Sequence, residues 1–304
     1  MLAIPNGPTP AGSAMDVGTD GNGPSVVVRC FGGLNITIRG APLDLTPLKP
    51  RVRRMLRMLA VHAGRPVHRE VLAEALWPEA PPRAATRNLQ VAVSSIRRLL
   101  EPCVSRGASS LIVRDGEAYR LSLDADAWVD LVAFDRALAA ARAAYARGDS
   151  EQELSAYRSA LDLHQDELFP EEGPAEWLLH ERECRAGEAC GAARAIAELL
   201  LEQGEPRGAA EACAHGLRID RYQDELWRLR IHSLDRAGDL AAARYAETEY
   251  GRVLSDLGLP PTICSTDYVR SAYSTSASSA STTRLANTTT SNITPARGIS
   301  SNGT

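Results

Sequence analysis

Between Ala84 and Leu100 the sequence runs AATRNLQVAVSSIRRLL, and two sets of residues interleave in it at helical spacing. Wound at about 100° per residue, Leu89, Val93, Ile96 and Leu100 fall on one side as an apolar stripe. Arg87, Gln90, Val91, Ser94 and Arg97 fall on the other, around Arg98. These residue types read base edges in a DNA major groove: arginine pairs bidentately with guanine, glutamine with adenine, and a small apolar side chain meets the thymine methyl. Outward arginine and serine also suit any solvated helix face, but an outward valine among them is hard to explain by solvation.

More arginines gather nearby. Arg51, Arg53, Arg54 and Arg57 crowd one upstream segment, Arg69 opens another, and Arg114 lies downstream. Like charges so concentrated repel unless an anion binds among them. Phosphate contacts from Arg51, Arg53, Arg54, Arg57 and Arg69 would set register on a duplex, with Arg114 reaching the minor groove. Covalent chemistry finds no such support. No Gly-rich phosphate loop follows a strand and no nucleophile-elbow sequence occurs. His62, His68, His164, His180, His215 and His232 lack metal-ligand spacing, and Cys213 and His215, two apart on a helix, point to different faces. The expectation is no catalytic residue, no metal and no cofactor, with Cys30, Cys103, Cys184, Cys190, Cys213 and Cys264 as unpaired thiols.

The elements that would carry these residues are legible on either side. VVVRCFGG (26–33) and LNITIRG (34–40) are β-branched runs broken by glycines, and a short LDL (43–45) completes a small antiparallel sheet. Thr46 is a candidate N-cap for a helix opened by Pro47 and Pro50, with Met55, Leu56, Leu59 and Ala60 inward and a stop at Gly64. VHREVLAEALW (67–77) predicts a second helix with Val71, Leu72, Ala75 and Leu76 buried, and PEAPPR links it to the third. LIVRDGEAYRL (111–121) predicts a hairpin turning at Asp115-Gly116. Strands, three helices and a terminal hairpin make an α+β winged helix-turn-helix domain, placed at 25–123.

From 126 to 262 the pattern is all-α and repetitive. Gly148-Asp149, Gly204-Glu205 and Gly238-Asp239 each separate two helical segments, and the last two lie one tetratricopeptide period apart. After each glycine, Glu153, Tyr157, Ala160 and Leu161, then Ala209, Cys213, Gly216 and Leu217, then Ala243, Glu247, Tyr250 and Gly251 recur at matching offsets. A tetratricopeptide-like solenoid is expected, with an extra helix or long loop around HQDELFPEEGPAEW. Trp177, Trp227, Tyr222 and Tyr245 are expected in its core. Residues 1–24 and the Ser/Thr-rich 263–304 are expected to be disordered tails.

The formal net charge of -4 divides unevenly. Residues 25–123 hold 16 basic and 7 acidic side chains, whereas 124–262 hold 15 and 28. The first stretch suits a polyanion; the second should face protein, a second copy or solvent. No apolar run approaches the roughly 18 residues of a membrane span, and the opening residues lack a basic segment followed by an apolar core. A cytoplasmic protein without a membrane partner is expected.

LDLTPLKPRVRRMLRMLAVHAGRPVHREVLAEALWPEAPPRAATRNLQVAVSSIRRLLEP, followed by DGEAYRL and a closing SDLGLPP, resembles the Streptomyces antibiotic regulatory protein family. Its members join an OmpR-like winged helix to a bacterial transcriptional activation domain. The resemblance implies a transcriptional activator of antibiotic or other secondary-metabolite genes. Tandem protomers, a homodimer on double-stranded promoter DNA, would bind direct repeats and engage RNA polymerase. It further implies that the loop between the second and third helices, Pro78, Glu79, Pro81, Pro82 and Arg83, touches polymerase; a plain connector would look the same. Two positions depart from the family pattern: His68 stands where Ser or Thr commonly caps, and Glu117-Ala118 precede Tyr119 where glycine is favoured. A tetratricopeptide scaffold without specific DNA binding is the alternative, and whether the helical domain takes a small effector is left open.

Overall fold

The computed structural model describes residues 25–101, 111–122 and 127–260. The expected tails 1–24 and 263–304, Cys103, Cys264, and the expected domain limits Leu123 and Asp126 lie outside the described residues.

The chain opens on a meander of β1 (Val26–Arg29), β2 (Asn35–Ile38) and β3 (Ala41–Pro42). Val26 pairs with Ile38 and Val28 with Ile36, and the inward members of this pattern, Val26, Val28 and Ile36, are buried. The third strand precedes the expected Leu43–Leu45. Arg39 and Gly40 both hold positive φ, so the turn is tight and Ala41 falls opposite Ile38 at once.

α1 (Pro50–Val61) starts later than Thr46 suggested: Lys49 is its N-cap, without a side-chain cap, and the Thr46 hydroxyl bonds the Asp44 carboxylate instead. β4 (Val67–His68) leads into α2 (Arg69–Leu76), which His68 caps by accepting from the Glu70 N–H through Nδ1. That position tolerates histidine because a neutral ring nitrogen can replace a hydroxyl oxygen as acceptor. Leu72 and Leu76 are buried as expected, but Val71 is 56 % exposed. A helix this short buries one narrow stripe, and Val71 lies just beyond it. α3 (Pro82–Leu100) buries Leu89, Val93, Ile96 and Leu100 against Met55, Leu56 and Leu59 of α1. β5 (Ile112–Asp115) and β6 (Ala118–Leu121) form the expected hairpin, turning at Gly116 with φ 56°. β4 joins it, giving a three-stranded wing in the order β4-β6-β5.

The second half stacks helices in pairs: α4 (Asp130–Arg147) with α5 (Ser150–Leu163), α6 (Glu176–Glu202) with α7 (Pro206–Ile219), and α8 (Asp224–Arg236) with α9 (Leu240–Asp256). Gly148, Gly204 and Gly238 all turn with positive φ between the members of a pair. The wide first spacing is filled by a loop with one 3-10 turn (Pro170–Glu172) and by the 27 residues of α6, not by an extra helix. Small residues set the stacking distance: a Cβ on Gly216 would stand 2.5 Å from Cδ1 of Leu226 and 2.9 Å from the Ala193 Cβ. Trp227 is buried and stacks on Tyr250, and Trp177 is half-buried. Tyr222 and Tyr245 are instead 53 % and 62 % exposed. Tyr222 lies in the α7–α8 turn and Tyr245 faces outward on the last helix, where no further pair follows among the described residues.

The two halves are knitted together. β7 (Ala127–Val129) lies parallel beside β1 and runs straight into α4, so the solenoid supplies the fourth strand of the N-terminal sheet. Asp130, buried at the start of α4, accepts from the N–H groups of Cys30, Phe31 and Leu131. Phe31 packs on Phe134 and His164, with ring centroids 5.6 and 4.8 Å apart. Gly32 N–H donates to the Glu167 carbonyl and Phe169 N–H to that of Cys30. Segment 164–172 is therefore a clasp on the winged-helix half.

Candidate nucleic-acid interface

Of the six side chains expected to read bases, Arg87, Gln90, Val91, Ser94 and Arg98 are exposed on one face of α3, Val91 at 60 %. Arg97 departs from the set. Its Nε and Nη2 both donate to the Ile112 carbonyl, at 3.0 and 2.8 Å, which pins α3 to the wing and half-buries the side chain. The helical wheel cannot separate Arg97 from Arg98, because it does not know on which flank β5 lies. Thr86 is exposed beside Arg87, and its hydroxyl bonds the Pro82 carbonyl.

The supporting arginines divide into two groups. Arg51 is exposed and Arg53 half-buried on α1. Arg54 and Arg57 face the solenoid: Arg54 Nε donates to Glu172 Oε2 at 2.7 Å, and Arg57 meets Glu171 Oε1 at 2.8 Å and Glu172 Oε1 at 2.7 Å. The anion that relieves their crowding is thus the protein's own. At the wing, Arg69 and Arg114 both pair with Glu117, and Arg114 Nε also donates to the Gly116 carbonyl. Arg114 remains 55 % exposed at the hairpin tip.

A hollow of about 520 Å³ separates the start of α1 from α3, lined by Lys49, Arg51, Trp77, Arg87, Asn88 and Val91 among others. It brings the chain's only lysine, an uncapped helix start and a base-reading candidate to one place. Sequence reading missed Lys49 and Asn88, since neither falls on the wheel face; the positive run KPR was the available signal. The loop after α2 is short. Pro78, Glu79, Pro81, Pro82 and Arg83 are all exposed, but Pro81 is the N-cap of α3, and Pro82 and Arg83 begin the helix itself, as prolines suit. Among the described residues no helix is long and apolar enough to cross a membrane.

Fold and exposed side chains together define the class: a winged helix-turn-helix joined to a tetratricopeptide-like solenoid. Residues 43–121 match the family described as "Transcriptional regulatory protein, C terminal", and residues 129–263 match "Bacterial transcriptional activator domain". Among similar curated proteins, the transcriptional regulatory protein EmbR of Mycobacterium tuberculosis is 31% identical, over 76% of this chain and 59% of its own length. The regulatory protein AfsR of Streptomyces coelicolor is 30% identical over 70% of this chain and 21% of its own. DnrI of Streptomyces peucetius is 24% identical over 72% and 82%. A solved structure of Mycobacterium tuberculosis EmbR in complex with a low-affinity phosphopeptide shares the fold, with TM-score 0.65 at 23% identity over 85% of this chain and 70% of that one. The chain belongs to the Streptomyces antibiotic regulatory protein family of transcriptional regulators. It spans about three-fifths of the length of EmbR, the first of these relatives.

Proposed function

We propose that the chain is a sequence-specific DNA-binding activator of transcription, acting in the bacterial cytoplasm on genes of antibiotic or other secondary metabolism. The observation that carries this reading is the α3 face, where Arg87, Gln90, Ser94 and Arg98 surround an exposed valine. α3 lies in the major groove, and its exposed residues read base edges. Lys49, Arg51, Arg53 and Arg69 contact phosphates, and Arg114 at the wing tip enters the neighbouring minor groove. Two protomers bind direct repeats, and the exposed corner Pro78–Arg83 meets RNA polymerase. No cofactor and no covalent step enter this mechanism.

The test is a salt titration of promoter binding by fluorescence anisotropy. Two protomers that each neutralise a few phosphates give a log-log slope of about -4 to -8; a flat response sinks the reading in favour of a scaffold. Arg98→Ala weakens cognate binding by about 1–3 kcal/mol and relaxes discrimination against a scrambled site, if Arg98 contacts a base.

A further inference from the structure

The loop between α5 and α6 borders a cavity of about 550 Å³ on the solenoid, far from the α3 face in sequence and built from other elements. This volume lies within the roughly 300–1,000 Å³ of small-molecule sites. Its wall carries His164 and Asp166 from the loop, Glu183 and Gly187 from α6, and His215 and Arg218 from α7.

The charges on that wall are unequally committed. Arg182 also lines the cavity, but its guanidinium is held by the carbonyls of Leu168, Phe169 and Gly173 at 2.6–2.8 Å. Arg185 is buried among Asp135, Glu181 and Glu188. The Asp220 carboxylate is taken by Tyr222 N–H and the Gln223 amide. Among the described residues neither Asp166 nor Glu183 has an ion-pair partner, and of the lining guanidiniums Arg218 alone is outside any ion pair. Burial above all holds His164 and His215 below the usual imidazole range, so at neutral pH they offer hydrogen bonds rather than positive charge. His164 is 6 % exposed and its Nδ1 has no hydrogen-bond partner, an unusual state for a buried polar atom. Asp166 keeps one carboxylate oxygen free while the other accepts from the Glu167 N–H at 2.7 Å. With Glu183, the neutral imidazoles and a helical half of large acidic excess, it favours a cation over the opposing charge of Arg218.

We propose that this cavity is an effector site for a small polar organic amine, whose ammonium is held by Asp166 and Glu183 and whose hydroxyl or second amine meets the histidines. To call the ligand an effector rests on the regulatory reading above; that it binds does not. The wall is also the clasp. His164 packs on Phe31, Glu167 accepts from Gly32, and Asp166 lies so near that a Cβ on Gly32 would be 3.6 Å from its own. Phe169, next in line, is fully buried in a left-handed conformation that non-glycine residues seldom adopt. A ligand that engages Asp166 therefore acts on the strand end that carries the winged helix.

Calorimetry on the full chain tests binding, with spermidine and glucosamine as probes, glucose as the uncharged counterpart and citrate as an anion. Saturable 1:1 binding of at least one amine is expected, with none of glucose or citrate. Asp166→Asn and Glu183→Gln should each weaken it about tenfold, the usual scale for one charged hydrogen bond. Glu211→Gln, on α7 outside the cavity wall, should not. Gly187→Leu projects a side chain into the cavity from a site where a Cβ meets nothing within 4 Å, and with its fold checked by an unchanged Tm, binding should vanish. Absence of saturable amine binding, preference for citrate, or binding that survives Gly187→Leu would overturn the site. Hydrogen exchange of the Gly32 and Phe169 amides should slow on binding; unchanged exchange under saturation would overturn the coupling. Neither measurement needs DNA, so failure here and failure of DNA binding are told apart.

Discussion

Neighbouring residues on one helix can have opposite tasks, and Arg97 and Arg98 do. Arg97 gives two hydrogen bonds to the Ile112 carbonyl, a half-buried charged donor on the acceptor of a fully buried residue. Arg97→Ala should lower stability by about 1–2 kcal/mol and loosen the wing, while leaving the preference for cognate over scrambled DNA intact. Urea unfolding beside anisotropy separates the two effects; lost discrimination at unchanged stability would place Arg97 back among the base readers. Gly216 is the other single position under tight constraint. Its replacement by alanine drives a methyl into Leu226 and Ala193, so α7 must shift from both neighbours. We expect a loss of about 1–3 kcal/mol, read as a lower Tm, whereas Gly187→Ala, which meets open space, should hold or raise it.

At the scale of elements, the solenoid was the most legible part. Glycine at each intra-pair turn and small residues at fixed offsets are direct consequences of helix stacking, so period and packing could be read together. The β-elements were less so. β4 and β7 are two and three residues long, below the length at which alternation carries a signal, and both exist because a partner strand is already in place. Tyr222 and Tyr245 show the same limit from the other side, since aromatic spacing cannot tell which helix ends the stack. The α2–α3 corner poses a functional question at this scale. Replacing Pro81, Pro82 and Arg83 together by alanine should abolish activation in a purified polymerase assay while DNA affinity stays within about twofold, since α3 can start on alanine. If both fall together, the corner serves folding or DNA contact instead. The loop after α5 has a pH signature. Burial lowers the folded-state pKa of His164, so the unfolded chain takes up protons more readily below about pH 6.5. Stability should thus be full above that value and fall as pH drops towards 5, and His164→Gln should flatten the fall.

For the whole molecule, the division of charge explains both how the halves differ and how they are joined. The basic excess of the winged helix was legible from composition alone, but its distribution was not. Arg54 and Arg57, read as part of a phosphate-binding cluster, are held by Glu171 and Glu172 across the interface. No local pattern reveals a contact between residues more than a hundred positions apart. Arg57 and Glu172 are 11 % and 5 % exposed, so this is a largely desolvated pair. Breaking one member leaves the other charge buried, which costs about 2–4 kcal/mol, somewhat less than a fully enclosed pair because Arg54 and Glu171 are partly wet. Glu172→Gln should therefore loosen the winged helix from the solenoid, although one apolar cluster runs through both. Trp77 lies in the first half and Trp227 in the second, so single-tryptophan versions report the two separately. With Glu172 present, both probes should follow one urea transition; in the Glu172→Gln variant, the Trp77 midpoint should fall below that of Trp227. Coincident and unshifted transitions would mean that β7, Asp130 and Phe31 hold the halves together without the ion pair. The replacement Arg57→Met with Glu172→Met removes both charges at once and should restore much of the coupling, because a desolvated pair exchanged for apolar contact costs little.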